Sequence, residues 1–187
     1  MAINPQEDLQ PGSRLVHRFK LRLHSPEMLA HTHFQRPSLP HGITITKIYA
    51  DFIRHCYKRT IKSFVDATPD GAQILHRLQS NVDLVFAVPN GWSQSQRAIM
   101  RRAIDLADIL PQNPGPDRIS FVSEAEASVH FVLLHARSAT SWMNPGCIFA
   151  CLDAGGSTVD TTMYECVSLD PLKLVEVTGS ECAHAGG

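Results

Sequence analysis

The sequence contains no apolar run that approaches the length of a membrane span, and its first residues lack the basic start and apolar core of a secretory leader. Its 17 basic and 18 acidic side chains nearly cancel, so the charge gives no indication of a nucleic-acid or membrane partner. The five cysteines are odd in number and widely spread, which argues against a disulfide framework. We therefore expect a cytoplasmic protein with reduced thiols.

Two common nucleotide-binding motifs are also absent. No glycine-rich loop ends in Gly-Lys-Ser or Gly-Lys-Thr, and no Gly-x-Gly-x-x-Gly fingerprint occurs. These absences exclude the usual P-loop and dinucleotide-binding signatures. The chain does have 187 residues with 43% hydrophobic content, which is enough to bury a substantial core in one or two domains.

Residues 1–42 predict an irregular N-terminal extension, because five prolines interrupt a stretch without a sustained hydrophobic period. No cysteine or carboxylate lies at ligand spacing from its closest histidine pair, so we interpret four of its five histidines as solvated loop residues. These are His24, His31, His33 and His41. Apolar residues at intervals of three and four then predict an amphipathic helix over 43–67, followed by a turn at 68–71.

Strand and helix patterns alternate from residue 82 onward. The apolar run 82–88 predicts a strand covered on both faces, and the helix after it places Met100, Ala103, Ile104 and Ala107 on one face. Residues 118–122 predict a second strand, which leads into another helix at a capping-box spacing, Ser123 to Glu126.

The remaining segments predict an added group of strands. The second helix continues through apolar residues at helical spacing, which are Val129, Val132, Leu133 and Ala136. Strands are then predicted over 147–153, 159–167 and 172–177. This order describes an α/β fold in which antiparallel strands extend a parallel core, forming a mixed sheet flanked by helices.

The run Asp-Ala-Gly-Gly-Ser-Thr-Val-Asp from Asp153 to Asp160 has the composition of a magnesium and phosphate site. The two carboxylates are suitable oxygen ligands for Mg²⁺, directly or through its waters. Gly155 and Gly156 leave backbone N–H groups open to a phosphate, and Thr158 adds a hydroxyl donor. An ordinary hairpin with turn glycines and surface acids explains the same spacing about equally well.

This segment resembles the second phosphate-binding loop of the actin-like ATPase superfamily, most nearly that of the heat shock protein 70 family of chaperones. Val88-Pro89 followed by Ser95-Gln96-Arg97 resembles the family's strand, Val-Pro turn and Ser-Gln-Arg helix. The stretch 118–128, Arg-Ile through Glu-Ala-Glu-Ala-Ser, resembles its Arg-Ile-x-x-Glu-Pro-Thr-Ala-Ala segment, and 178–187 resembles, more loosely, a later glycine-ended turn. The resemblance implies a partial actin-like ATPase (ribonuclease H-like) nucleotide-binding domain over 43–187.

The resemblance also implies an ATP or ADP ligand with Mg²⁺. Asp153 and Asp160 would hold the metal ion through water, and Asp160 together with Glu124 would act in ATP hydrolysis, Glu124 by positioning water. Glu124 has a structural explanation as well, because an acid in the first turn of a helix is favoured by the helix dipole.

The implied phosphate contacts come from two glycine-containing turns. Gly155, Gly156 and Thr158 would contact the β- and γ-phosphates, and Gly186 and Gly187 would contribute from the later turn. This sequence departs from the family at Ser157, where a third glycine is usual, and at Ala125, where a proline is usual. These departures indicate a divergent branch.

Nothing in residues 1–41 resembles the family's first phosphate loop, and the sequence printed here does not extend into a second lobe. The expectation is thus an incomplete chaperone-type ATP-binding module that binds ATP weakly or not at all by itself. A non-catalytic interaction or structural remnant of the domain is the alternative. A third possibility is a zinc or redox site built from four cysteines and a histidine, which are Cys147, Cys151, Cys166, Cys182 and His184.

Overall fold

The structure is a computed structural model that describes residues 15–24, 38–78, 81–110, 118–135, 141–155 and 158–183. These residues divide into two compact units. The described part of the first unit consists of residues 15–24, 38–78, 81–82 and 94–110. The described part of the second consists of residues 83–93, 118–135, 141–155 and 158–183.

The described part of the first unit is helical. It contains a short 3-10 helix, Phe19–Leu23, and three α-helices: α1 (Ile45–Ala67), α2 (Gly71–Leu78) and α3 (Gln94–Ala107). The Thr44 hydroxyl begins α1 by accepting a hydrogen bond from the Lys47 N–H at 3.2 Å. The helix predicted over 43–67 is confirmed.

Helix α3 packs against α1 through the face that the sequence predicted. Met100, Ala103, Ile104 and Ala107 are all buried, and the two alanines have no exposed surface. Small side chains at these positions allow the two helix backbones to approach closely. The helical period was therefore sufficient to predict which face of α3 is buried.

The described part of the N-terminal extension is more ordered than predicted. Its 3-10 helix buries Leu21 and Leu23, and the Phe19 ring meets the Tyr49 ring edge-on with centroids 5.1 Å apart. His24 is only 6% exposed, so its interpretation as a solvated residue was wrong, whereas His41 is exposed as expected. The apolar residues of this short helix contact α1, but they follow no sustained period. The sequence pattern therefore did not indicate that this segment is folded.

The predicted turn at residues 68–71 is followed directly by helix α2. Asp70 has a φ of 54°, which redirects the chain, and Gly71 then begins the new helix. A Cβ atom at Gly71 would lie 3.0 Å from the Cα of Val65, so glycine is needed for the close return onto α1.

The second unit begins with a parallel strand pair and a helix. Strand β1 (Leu84–Val88) pairs with β2 (Ile119–Ser123), and α4 (Glu124–His135) follows β2 without an intervening residue. The Ser123 hydroxyl accepts a hydrogen bond from the Glu126 N–H at 3.1 Å, so the predicted serine cap is confirmed. The prediction that β1 is covered on both faces was wrong, because Val85 is 66% exposed and Ala87 on the same face is also exposed.

An antiparallel sheet forms the rest of this unit. Its strands are β3 (Ile148–Ala154), β4 (Val159–Leu169), β5 (Leu172–Glu176) and β6 (Glu181–Ala183). Strand β4 pairs with β3 along one edge and with β5 and β6 along the other. The α/β class is confirmed, but among the described residues two sheets replace the predicted mixed sheet, since β3 pairs with its hairpin neighbour β4 and not with β2.

Helix α4 packs on the antiparallel sheet. Ala125 and Val129 contact Tyr164 in a buried cluster, which Leu133, Phe149, Cys151 and Leu174 surround. Val132, predicted on this face, is instead 44% exposed, and Ala136 lies outside the described residues. Within the described part of the chain, no helix is both long and apolar enough to cross a membrane.

Candidate functional site

The β3–β4 hairpin places Asp153 directly opposite Asp160. The pairing of Ala154 with Val159 continues the ladder to the turn, where the Gly155 N–H donates to the Thr158 carbonyl at 2.8 Å. A Cβ atom at Gly155 would lie 3.2 Å from that carbonyl oxygen, so the turn is tight at this point. The hairpin is compatible both with an ordinary turn and with a phosphate-binding loop.

The two carboxylates share one face of the sheet. Residues directly opposite in an antiparallel pair project to the same side, and here that side is also the one that carries the Tyr164 cluster under α4. Both aspartates are half-buried, and none of the ion pairs within the described ranges includes either of them. Like charges in this arrangement repel, so a cation held between them would be stabilising.

The Thr158 hydroxyl donates to a carboxylate oxygen of Asp160 at 3.1 Å. It therefore orients one of the two acids. The resemblance implies that this hydroxyl donates to a phosphate, but in this structure it donates to Asp160. The hydroxyl would have to rotate to donate to a ligand.

Glu124 is the first residue of α4 and is half-buried. The next backbone N–H, that of Ala125, donates to the side-chain oxygen of Asn90 at 3.1 Å. The Asn90 amide nitrogen in turn donates a short hydrogen bond to the Thr162 hydroxyl, on the same face of β4 as Asp160. The helix that carries Glu124 and the strand that carries Asp160 are thus joined through one side chain.

The sequence carries no functional signal at Asn90 or Thr162. Asn90 follows the apolar run of the first strand, and Thr162 lies within a predicted strand, 159–167. Their hydrogen bond joins positions 72 residues apart, so no local period or spacing could have indicated it.

Cys151 and Cys182 lie on the same sheet face as the aspartates. Burial raises the pKa of the Cys151 thiol, and the nearby Asp153 charge raises it further. Cys182 is the register partner of Asp160 on β6. Among the residues that the structure describes, no group of three or more His, Cys, Asp or Glu side chains is arranged to hold a metal ion, and this includes the predicted zinc ligands that lie within the described ranges.

Several predicted site residues lie outside the described residues. They are Gly156, Gly186 and Gly187 of the predicted phosphate contacts, together with His184 and the divergent Ser157. The structure brings together Asp153, Gly155, Thr158 and Asp160 at one hairpin end.

No protein-family model matches this chain, and a search of the curated proteins finds no match either.

Proposed function

We propose that the second unit by itself binds a magnesium–nucleotide, ATP or ADP, only weakly, at the Asp153–Asp160 hairpin end. The proposal extends to a partial actin-like ATPase domain of the heat shock protein 70 type, working in the cytosol. The observation that carries it is the pair of directly opposed carboxylates without an ion-pair partner in the described ranges, next to a glycine turn. Two oxygen-bearing acids beside a glycine-containing turn favour Mg²⁺ with a phosphate.

Each described residue has a distinct part in this proposal. Asp153 and Asp160 would hold the waters of Mg²⁺, which when bound neutralises phosphate charge. Gly155 has no side chain to obstruct a phosphate, although its N–H donates to the Thr158 carbonyl in this structure, and Thr158 orients Asp160. Glu124, at the start of α4, would position a metal-bound water, and the attacking water if the module hydrolyses ATP.

The second candidate is a non-catalytic remnant of the same domain. The Thr158 hydroxyl and the Gly155 N–H both have partners within the hairpin, as they would in a turn that serves only to connect two strands. A nucleotide-dependent change in stability separates the two candidates, because only a ligand of the native state raises the melting temperature.

The test measures thermal unfolding and calorimetric binding with Mg-ATP, with Mg-ADP and with ATP in EDTA. Mg-ATP at about 100 times its dissociation constant should stabilise the native state by about 2.7 kcal/mol. Asp153→Asn and Asp160→Asn should each weaken Mg-ATP binding by about tenfold or more, since each removes a charge that holds the metal waters. Glu181→Gln is the matched control, because Glu181 is an exposed acid on β6 that pairs with Thr161, on the opposite sheet face.

Two outcomes would overturn the proposal. Wild-type protein that shows no stabilisation at millimolar Mg-ATP supports the non-catalytic remnant. Binding that survives unchanged in both aspartate variants places the nucleotide elsewhere on the chain.

A further inference from the structure

Asn90 lies where three separate segments of the second unit meet. It follows β1, contacts the first turn of α4 through the Ala125 N–H, and contacts β4 through Thr162. Thr162 is 1% exposed, so its hydroxyl sits in the interior of this unit. A buried polar contact of this kind is costly to leave incomplete, which makes the identity of residue 90 important.

The orientation of the Asn90 amide is determined by its partners. A backbone N–H can only donate, so the side-chain oxygen must face Ala125 and the amide nitrogen must face Thr162. The Thr162 hydroxyl lies 2.9 Å from that of Ser180, and the Ser180 hydroxyl donates to the Glu176 carboxylate at 3.3 Å. Because Ser180 uses its proton on Glu176, Thr162 donates to Ser180, and every bond in the chain runs toward that carboxylate.

We infer that Asn90 is a positioning residue that fixes the first turn of α4, and with it Glu124, against the strand that carries Asp160. The consequence for nucleotide binding rests on the proposed function, whereas the structural link stands on the two hydrogen bonds alone.

An amide meets both requirements at this position while the Thr162 hydroxyl still donates to Ser180. Aspartate keeps an acceptor for Ala125 but has no proton for Thr162 when ionised, and leucine keeps the approximate volume without either function. The Ala125 N–H is also one of the donors at the start of a helix that has no partner within the helix itself. Asn90 therefore acts on α4 as a capping group supplied from a distant part of the chain.

The structural link is tested by amide hydrogen exchange of Ala125, followed by NMR. Asn90→Ala and Asn90→Leu should both speed exchange at Ala125 by about tenfold or more, because its acceptor is lost. Asn90→Asp should leave that amide protected. Asn144→Ala is the control, since Asn144 is an exposed asparagine of the same unit whose side chain bonds only a local carbonyl, that of Trp142. Unchanged exchange at Ala125 in Asn90→Leu would overturn the inference.

The positioning of Glu124 is tested by a double-mutant cycle on Mg-ATP affinity. Asn90→Ala should weaken binding by about tenfold, and adding it to Glu124→Gln should weaken binding by no more than about twofold beyond Glu124→Gln alone. Losses that multiply would show that Asn90 does not act through Glu124. If the wild-type chain binds no Mg-ATP, the proposed function fails, and the exchange measurement alone decides whether Asn90 fixes α4.

Discussion

Asp153 and Asp160 face each other because of the pairing register of a hairpin, although seven positions separate them in the sequence. A shift of the register by one residue would move one acid to the other sheet face and remove the pair. The side-chain contacts of Thr158 and Asn90 add to this placement, the first by bonding Asp160 and the second by bonding its neighbour Thr162. The placement of the two acids therefore depends on the hairpin register and on the side chains of Thr158 and Asn90.

At this scale, we predict that Asp153→Asn raises the free energy of unfolding in EDTA by about 0.2–1 kcal/mol, because it relieves repulsion between directly opposed like charges. Urea unfolding measures the change. Added Mg²⁺ should abolish the gain by stabilising the wild-type protein. Glu181→Gln should have no comparable effect, and a loss of stability in Asp153→Asn in EDTA would contradict the repulsion.

Among the helices of the first unit, the Arg54 side chain of α1 caps the C-terminal end of α3. Its guanidinium donates to the carbonyl oxygens of Leu106 at 2.7 Å and Ala107 at 2.9 Å. These carbonyls belong to the last turn of α3, where backbone acceptors lack partners within the helix and the dipole favours a cation. The same side chain also pairs with the exposed Asp51, a contact of little energetic weight.

We predict that Arg54→Leu lowers the free energy of unfolding by about 1–2 kcal/mol, since two charge-assisted hydrogen bonds are lost from a partly exposed site. Chemical denaturation provides the measurement. Lys62→Leu serves as a matched control, because the Lys62–Asp66 pair on the same helix is exposed and should contribute less than about 1 kcal/mol. Equal losses in both variants would show that the contacts to α3 contribute nothing specific.

The elements that the sequence predicted well are those whose signal is local. The buried face of α3 follows from a 3.6-residue period, and the start of α4 follows from the spacing of Ser123 and Glu126. The exposed face of Val85 and the separation into two sheets could not be predicted, because they depend on which distant segments pair. Asn90 belongs to this second group, and so does the buried 3-10 helix at the N-terminal side.

Across the whole molecule, both units bury groups that lose a proton only at alkaline pH. Burial raises the pKa of Tyr49 in the first unit, and it is also the main cause of the raised pKa of Tyr164 and Cys166 in the second. The protonated, neutral forms are therefore favoured in the folded state. Their contribution to the free energy of unfolding is fully present below the pKa values of the unfolded chain, which are 9.0 for cysteine and 10.0 for tyrosine. It is lost as the pH rises above these values.

We predict that the free energy of unfolding falls between about pH 7.5 and about pH 10.5, and that Tyr49→Phe reduces this fall by about 1 kcal/mol, because phenylalanine has no proton to lose. Urea unfolding at the two pH values measures both quantities. Tyr57→Phe, at a half-buried tyrosine of the same helix, is the control. An equal fall in wild-type and Tyr49→Phe protein would mean that Tyr49 ionises as readily when folded as when unfolded.

The direct passage from β2 to α4 has a mechanical consequence. No loop residue separates Ser123 from Glu124, and β2 is held to β1 by a five-residue parallel register. A tilt of α4 would therefore have to be absorbed by the backbone torsions of these two residues or passed on to the strand pair. The position of Glu124 is consequently coupled to the β1–β2 strand pair and to Asn90, which accepts a hydrogen bond from the first turn of α4.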